Sequence, residues 1–141
     1  MKRFACIALL AGFAFAVPAH AATTTVNVTL KVMIAQDTTD AYATCPVPVP
    51  QGSNGVVMLD AAVRTGCISS YDTVKDPTYG DFLLSIDQIR GAHEAEDATY
   101  WSTTLNGAYT ETGIDGFQAQ NGQVYGFTYT TWLTCLTPVG C

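Results

Sequence analysis

Adjacent aromatic residues give this sequence its clearest candidate for a binding surface. Tyr100 and Trp101 are neighbours in a stretch that reads as a β-strand, so their side chains should point to opposite faces of a sheet. One ring is then expected in the core and the other is available to stack on a flat ligand, although simple packing on the sheet explains either ring alone. Four further aromatic residues would extend such a surface if the fold gathers them: Tyr79, Tyr109, Tyr125 and Trp132.

Catalytic and metal-binding patterns are weak by comparison. The sequence has no G-x-S-x-G elbow, no P-loop and no dinucleotide-binding glycine pattern, so we predict that the protein is not an enzyme. Imidazole and carboxylate groups come close together at His93, Glu94, Glu96 and Asp97. Because their spacing matches no metal-binding motif, the favoured interpretation is a solvated acidic loop, and no metal site is predicted.

Residues 1–21 have the composition of a secretory signal peptide. Lys2 and Arg3 precede an apolar run that is short for a bilayer, and Ala19-His20-Ala21 supplies a small-residue cleavage site. A single membrane-spanning helix is the less favoured alternative. We therefore expect residues 22–141 to form one mature domain that is secreted or periplasmic and has no membrane span.

The net charge of the chain argues against nucleic acid and membranes as partners. Without the leader the chain keeps four basic residues and all twelve acidic ones, a net charge of −8. Such a surface repels nucleic acid and anionic membranes.

The cysteine content favours disulfides. The mature chain keeps four cysteines and has no C-x-x-C pair, which in an exported protein favours two disulfides over a zinc or redox site. The four are Cys45, Cys67, Cys135 and Cys141.

The segment between Asn54 and Gly66 is predicted to be an α-helix. Asn54 is a suitable N-cap, and Gly66 suits the left-handed position that ends a helix. The apolar residues between them recur at helical spacing: Val56, Leu59, Ala62 and Val63.

The remaining patterns are typical of strands. Strict alternation predicts a strand with one buried face over residues 25–34, and alternating prolines over residues 45–50 predict an edge strand or a polyproline segment. Asn106-Gly107 predicts a two-residue hairpin turn, because both central positions of that turn need positive φ. Residues 68–78 and 113–122 are predicted to be loops. Four further strands are predicted: 81–90 (with Phe82, Leu84, Ile86 and Ile89 as core candidates), 99–105, 108–112 and 123–133.

This order of elements predicts an α+β fold of β-grasp type, in which a mixed sheet of about five strands packs on one helix and is stapled by disulfides. The first and last strands of such a fold lie side by side and parallel. The helix then returns Cys67 to the edge where Cys45 begins its strand, which favours Cys45–Cys67 together with Cys135–Cys141. The alternative is a pairing of Cys45 with Cys135 or with Cys141.

The ordered motifs resemble those of the transcobalamin-like C-terminal domain family, the β domain of intrinsic factor and transcobalamin, here as a standalone exported bacterial form. The likeness extends over about residues 26–132. Val57 and Ala62 replace a Thr and a Leu of the family's helix motif, and Gln123 replaces an aspartate. Four stretches match in order: residues 55–62 (GVVMLDAA), 79–82 (YGDF), 100–107 (YW followed by NG) and 122–129 (GQVYGFTY).

The resemblance implies a binding function. In the vitamin B12 carriers of the family, a corrinoid is held between this unit and a helical barrel domain, and the matched motifs belong to the β unit. We expect an exported, non-catalytic domain that binds cobalamin, another corrinoid or another flat small molecule. The alternative is a structural or protein-interaction module of a cell-envelope or surface assembly, which would present its sheet edge or aromatic face to another envelope protein. The implied ligand-binding residues are Tyr79, Tyr100, Trp101, Asn106, Gly107 and Tyr109.

Overall fold

A computed structural model describes residues 23–34, 42–91 and 99–131. These residues contain one α-helix, α1 (Gly55–Arg64), and a short 3₁₀ turn at Ile114–Gly116. They also contain eight strands: β1 (Thr25–Ile34), β2 (Ala43–Pro50), β3 (Tyr71–Asp76), β4 (Gly80–Ile86), β5 (Ile89–Arg90), β6 (Thr99–Leu105), β7 (Ala108–Tyr109) and β8 (Val124–Thr131).

Two sheets divide these strands. The larger sheet has five strands in the order β2-β1-β8-β6-β7, and the smaller one has three in the order β3-β4-β5. Strands β1 and β8 are parallel neighbours, whereas β1–β2, β6–β8 and β6–β7 are antiparallel. The predicted α+β fold with a five-stranded mixed sheet is therefore confirmed, including the parallel first and last strands. The three-stranded sheet is an element that the sequence patterns did not predict.

The core lies on the face of the large sheet that α1 covers. In β1 the alternating residues Val26, Val28, Leu30 and Val32 are at most 6% exposed, as the period-2 pattern predicts. The parallel register places Leu30 opposite Tyr125 and Val32 opposite Phe127. The two aromatic rings are fully buried, so the centre of the sheet and the centre of the core coincide.

The caps of α1 are those that the sequence predicts. Asn54 has an extended backbone, and its side chain accepts a hydrogen bond of 3.1 Å from the Val57 N–H. Gly66 has a φ of +73°, the left-handed conformation expected just after the last turn. The buried arc is rotated from the predicted stripe, because Val56 and Val63 are only half-buried at its margins. Its centre is formed by Met58, Leu59, Ala61 and Ala62.

The prediction of a loop over residues 68–78 is wrong, because Tyr71–Asp76 forms β3. This strand is polar and has no fully buried residue, so it lacks the hydrophobic period that marks a strand in a sequence. It is held by antiparallel pairing with β4, with a register shift between Asp72 and Thr73.

The predicted strand over residues 81–90 is two strands, β4 and β5, separated by Asp87 and Gln88 at positive φ. Ile86 is buried as predicted, and Leu83 is buried in place of the predicted Phe82 and Leu84, which are half-buried together with Ile89. Buried residues at 83, 85 and 86 do not follow a period of 2, which explains why alternation selected the wrong face.

A disulfide joins Cys45 in β2 to Cys67 just beyond α1, with a Cα–Cα distance of 6.1 Å. This is the predicted pairing, and it ties the edge of the large sheet to the end of the helix that covers it. Other predicted features lie outside the described residues: the leader, the acidic group from His93 to Asp97, Trp132, Cys135 and Cys141. Within the described ranges, the one helix is too short and too polar to cross a bilayer.

Replacing both Cys45 and Cys67 by Ala should lower the free energy of unfolding by about 3 kcal/mol, because the bond closes a loop of 22 residues in the unfolded chain. Urea denaturation of the oxidised proteins measures the difference. An unchanged midpoint would contradict a structural role for this bond.

Candidate functional site

A groove of about 280 Å³ separates the β6–β7 hairpin from the start of β4. Its walls are mainly apolar, and aromatic rings reach it from both sheets. We call it the aromatic groove and define it by six residues: Tyr79, Phe82, Tyr100, Trp101, Tyr109 and Ile114. Four of the six residues implied by the family resemblance therefore line one groove, although they come from separate parts of the chain.

The two outermost rings are open to solvent. Tyr79 is 60% exposed and Tyr109 is 53% exposed. Tyr79 meets Phe82 edge to face, with the ring centroids 6.3 Å apart, so one wall of the groove is a pair of rings in a favourable geometry. The groove thus offers aromatic surface at its mouth.

Trp101 is the core member of the adjacent aromatic pair. It is 5% exposed, its ring lies 5.4 Å from that of Tyr129, and its Nε1 donates a hydrogen bond of 3.2 Å to the Ile89 carbonyl. Tyr100, on the opposite side of β6, is only partly buried. Of the two residues, Tyr100 has the more exposed side chain, and Trp101 joins the large sheet to β5.

Short contacts fix the wall formed by Tyr79 and Phe82. The Gly113 N–H donates to the Tyr79 carbonyl at 2.8 Å, and Asp115 Oδ1 accepts from the Asp81 N–H at 3.0 Å. A Cβ at Gly113 would lie 2.5 Å from the Tyr79 carbonyl oxygen, so only glycine permits this approach. The loop that carries Ile114 is thereby locked to the β3–β4 turn.

Asn106 and Gly107 do not line the aromatic groove. Both have positive φ, 52° and 83°, as the predicted turn requires. Asn106 Oδ1 accepts a hydrogen bond of 2.9 Å from the Val124 N–H, and the Asn106 N–H donates to the Val124 carbonyl. Asn106 and Gly107 form the turn of the hairpin, in which Tyr109 lies opposite Thr104.

Carboxylates that were not among the predicted site residues also line the groove. Asp76, Asp81 and Glu111 contribute to its lining. Asp76 Oδ1 is occupied by the backbone N–H groups of Thr78 and Tyr79, at 2.7 and 3.0 Å. The Y-G-D-F motif of the family resemblance includes Asp81 and Phe82 and could have indicated them. No sequence motif connects that stretch to Glu111.

Ser102 presents a buried hydroxyl at this site. It lines the groove and is 2% exposed. Its Oγ has no hydrogen-bond partner in the described part of the chain. An unsatisfied buried hydroxyl costs about 1–3 kcal/mol, so Ser102 is expected to lower the stability of this site relative to an apolar residue.

Burial raises the pKa of the Tyr100 phenol above its ordinary value of 10.0, and the nearby Tyr109 phenol adds to the shift. Tyr100 is therefore neutral throughout the physiological pH range. Within the described ranges, no group of three or more His, Cys, Asp or Glu side chains is placed to hold a metal ion.

Comparison with known proteins gives structural likeness without a sequence match. No family model and no curated protein matches the chain. The structure of haptocorrin in complex with Cbi superimposes with a TM-score of 0.65 at 18% identity, over 80% of this chain and 27% of haptocorrin. The chain therefore spans about a quarter of that protein. This likeness supports a structural relation to the transcobalamin-like fold.

A second solved structure, a "putative metal binding protein" from Ruminococcus gnavus, superimposes with a TM-score of 0.52 at 15% identity. The match covers 75% of this chain and 97% of that protein. The same architecture therefore also occurs in a protein of which it makes up nearly the whole length.

Changing Ser102 to Ala should leave stability unchanged or raise it by up to about 1 kcal/mol, because the variant removes a polar atom that lacks a partner. Chemical denaturation measures the difference. The matched control is Thr103→Val, which removes a hydroxyl bonded to Thr110 Oγ1 at 2.7 Å and should cost about 0.5–1.5 kcal/mol. A larger loss in the Ser102 variant than in the control would contradict an unpartnered hydroxyl.

The pKa of Tyr100 should lie above 10.0, and Tyr109→Phe should lower the pKa of Tyr100 by removing the electrostatic contribution of Tyr109. The raised pKa stabilises the folded state at neutral pH, and this contribution falls as the pH rises above 10.0, where the unfolded chain loses its proton first. Near-ultraviolet titration of the parent and of Tyr100→Phe isolates this ionisation. Ionisation at or below the ordinary value would contradict a buried phenol.

Proposed function

We propose that this domain is an exported, non-catalytic binding domain that holds a flat small molecule of the corrinoid class against the aromatic groove. The observation that carries the proposal is the convergence of Tyr79, Tyr100 and Tyr109 on one mainly apolar groove. Ligand sites are concave and apolar with a few polar groups, and this groove has that composition.

The exposure of the rings supports a binding function over simple packing. A ring that is more than half exposed contributes little to the core, and clustered exposed apolar surface marks interaction sites. Tyr79 and Tyr109 meet that description on the two sides of the groove. A planar ligand between them would cover both rings and remove their apolar surface from water.

The size of the groove indicates a partial site. Its volume of about 280 Å³ is at the lower limit of ordinary ligand pockets, roughly 300–1,000 Å³. A corrinoid would therefore rest with one edge in the groove and its remaining surface uncovered. The partial overlap with haptocorrin, 27% of that chain, supports the same inference, because the structure with Cbi contains much more protein than this unit.

Two observations favour an exported protein. The Cys45–Cys67 disulfide is typical of an oxidising compartment. The leader-like composition of residues 1–21 is consistent with secretion or with the periplasm.

The second candidate function is a protein-interaction module of an envelope or surface assembly. Exposed tyrosines are common at protein interfaces, so Tyr79 and Tyr109 favour an aromatic face as its docking surface. The sheet edge at β2 is less suited to strand addition, because Pro46, Pro48 and Pro50 have no N–H to donate.

Calorimetry with cobinamide and cobalamin, read also by the corrinoid absorbance band, tests the proposed function on the purified oxidised protein. We expect weak, saturable binding, and Tyr109→Ala should weaken it about tenfold because one stacking face is lost. Tyr42→Ala is the matched control, since Tyr42 is 49% exposed and does not line the groove. Trp101 is unsuitable for this test because its loss would disturb the core.

Absence of binding at millimolar corrinoid would remove the corrinoid proposal. Equal weakening by Tyr42→Ala and Tyr109→Ala would place the ligand elsewhere. A stable protein complex formed through Tyr79 and Tyr109, without affinity for small molecules, would support the second candidate function.

A further inference from the structure

The charge of the aromatic groove is one-sided. Asp76, Asp81 and Glu111 line it, whereas no Lys, Arg or His is among the described residues of its lining. The described residues contain one ion pair, between Arg90 and Asp72 at 3.3 Å, so none of the three carboxylates is neutralised by a described cation. The protein as a whole is acidic, with a net charge of −6 over the full sequence.

The aromatic rings strengthen the preference for positive charge. The faces of Tyr and Phe rings carry negative electrostatic potential and attract a cation within about 6 Å of the ring centre. Tyr79, Phe82, Tyr100 and Tyr109 all line the groove. The carboxylates and the ring faces therefore favour the same sign of charge in a ligand.

Ser102 gives an independent indication of a ligand. Its hydroxyl is buried at the groove and lacks a hydrogen-bond partner among the described residues. A hydroxyl oxygen accepts a hydrogen bond from an N–H group, which many organic cations carry. A cation with an N–H group would satisfy this buried atom once the Ser102 side chain rotates toward the groove.

We propose that the aromatic groove is selective for an organic cation, with the flat apolar part of the ligand between the tyrosine rings and its positive charge facing Asp81 and Glu111. This inference rests on the proposed function of the groove as a small-molecule site and adds the charge class of the ligand. Neutral and anionic ligands of the same shape bind more weakly, because they gain neither the cation–π contact nor the attraction of the carboxylates.

A set of probes with one shape and different charges tests this selectivity. N-methylacridinium is cationic, acridine is neutral at mildly alkaline pH, and acridine carboxylate is anionic. Fluorescence titration of the full-length oxidised protein measures the affinity for each. We expect N-methylacridinium to bind about tenfold more tightly than acridine, and the carboxylate to bind most weakly. Added salt should reduce the preference for the cation.

Two isosteric variants separate local charge from net charge. Asp81→Asn combined with Glu111→Gln should reduce the tenfold preference for the cation over acridine to about threefold, the part that the rings supply. Asp60→Asn is the control, because Asp60 lies on α1, does not line the groove, and keeps an oxygen that can accept from the Tyr71 hydroxyl.

The outcomes distinguish this inference from the proposed function. Equal affinity for acridine and N-methylacridinium, with both weakened by Tyr109→Ala, would overturn charge selectivity and retain the groove as a ligand site. Absence of binding by every probe and by both corrinoids would overturn both. An Asp60→Asn effect per charge removed as large as that of the groove variant would assign the preference to net charge and overturn the inference.

Discussion

Parallel pairing of β1 with β8 is the constraint on which the rest of the structure depends. Each strand is paired on both sides, β1 with β2 and β8, and β8 with β1 and β6. Parallel strands cannot be joined by a tight turn, so the chain between them must cross over one face of the sheet. Here that crossover contains α1 and the three-stranded sheet, and it covers the buried pairs Leu30–Tyr125 and Val32–Phe127.

The sequence predicted the elements whose stability is local. The alternation in β1, the Asn54 cap and the Asn106-Gly107 turn each depend on residues a few positions apart, and each was predicted correctly. β3 was missed because a polar strand is stabilised by its partner β4 and leaves no hydrophobic period. The wrong core face in β4 has the same origin, since packing between two sheets decides which residues are buried.

The candidate site was predictable in its residue types and less so in its geometry. Because Tyr100 and Trp101 are adjacent in a strand, one of the two rings was expected to be buried. The contacts of Trp101 with Ile89 and Tyr129 show that the buried ring is Trp101. The opposite wall of the aromatic groove comes from the β3–β4 turn. Nothing in the local sequence indicates that Asp115 holds this turn beside the hairpin, so the position of Glu111 beside Asp81 at the groove could not be predicted.

A groove built from two sheets links ligand binding to the stability of their contact. Tyr79 and Phe82 belong to the smaller sheet and its turn, whereas Tyr100 and Tyr109 belong to the larger one. A ligand that touched both walls would bind only when the sheets are packed together, and it would therefore stabilise that packing by RT ln(1 + [L]/Kd). The hydrogen bonds of Gly113 and Asp115 already fix the loop after β7 to Tyr79 and Asp81 without ligand, so little ordering of this wall would be required on binding. A preorganised groove of this kind favours binding of a ligand even when the domain covers only part of the ligand surface.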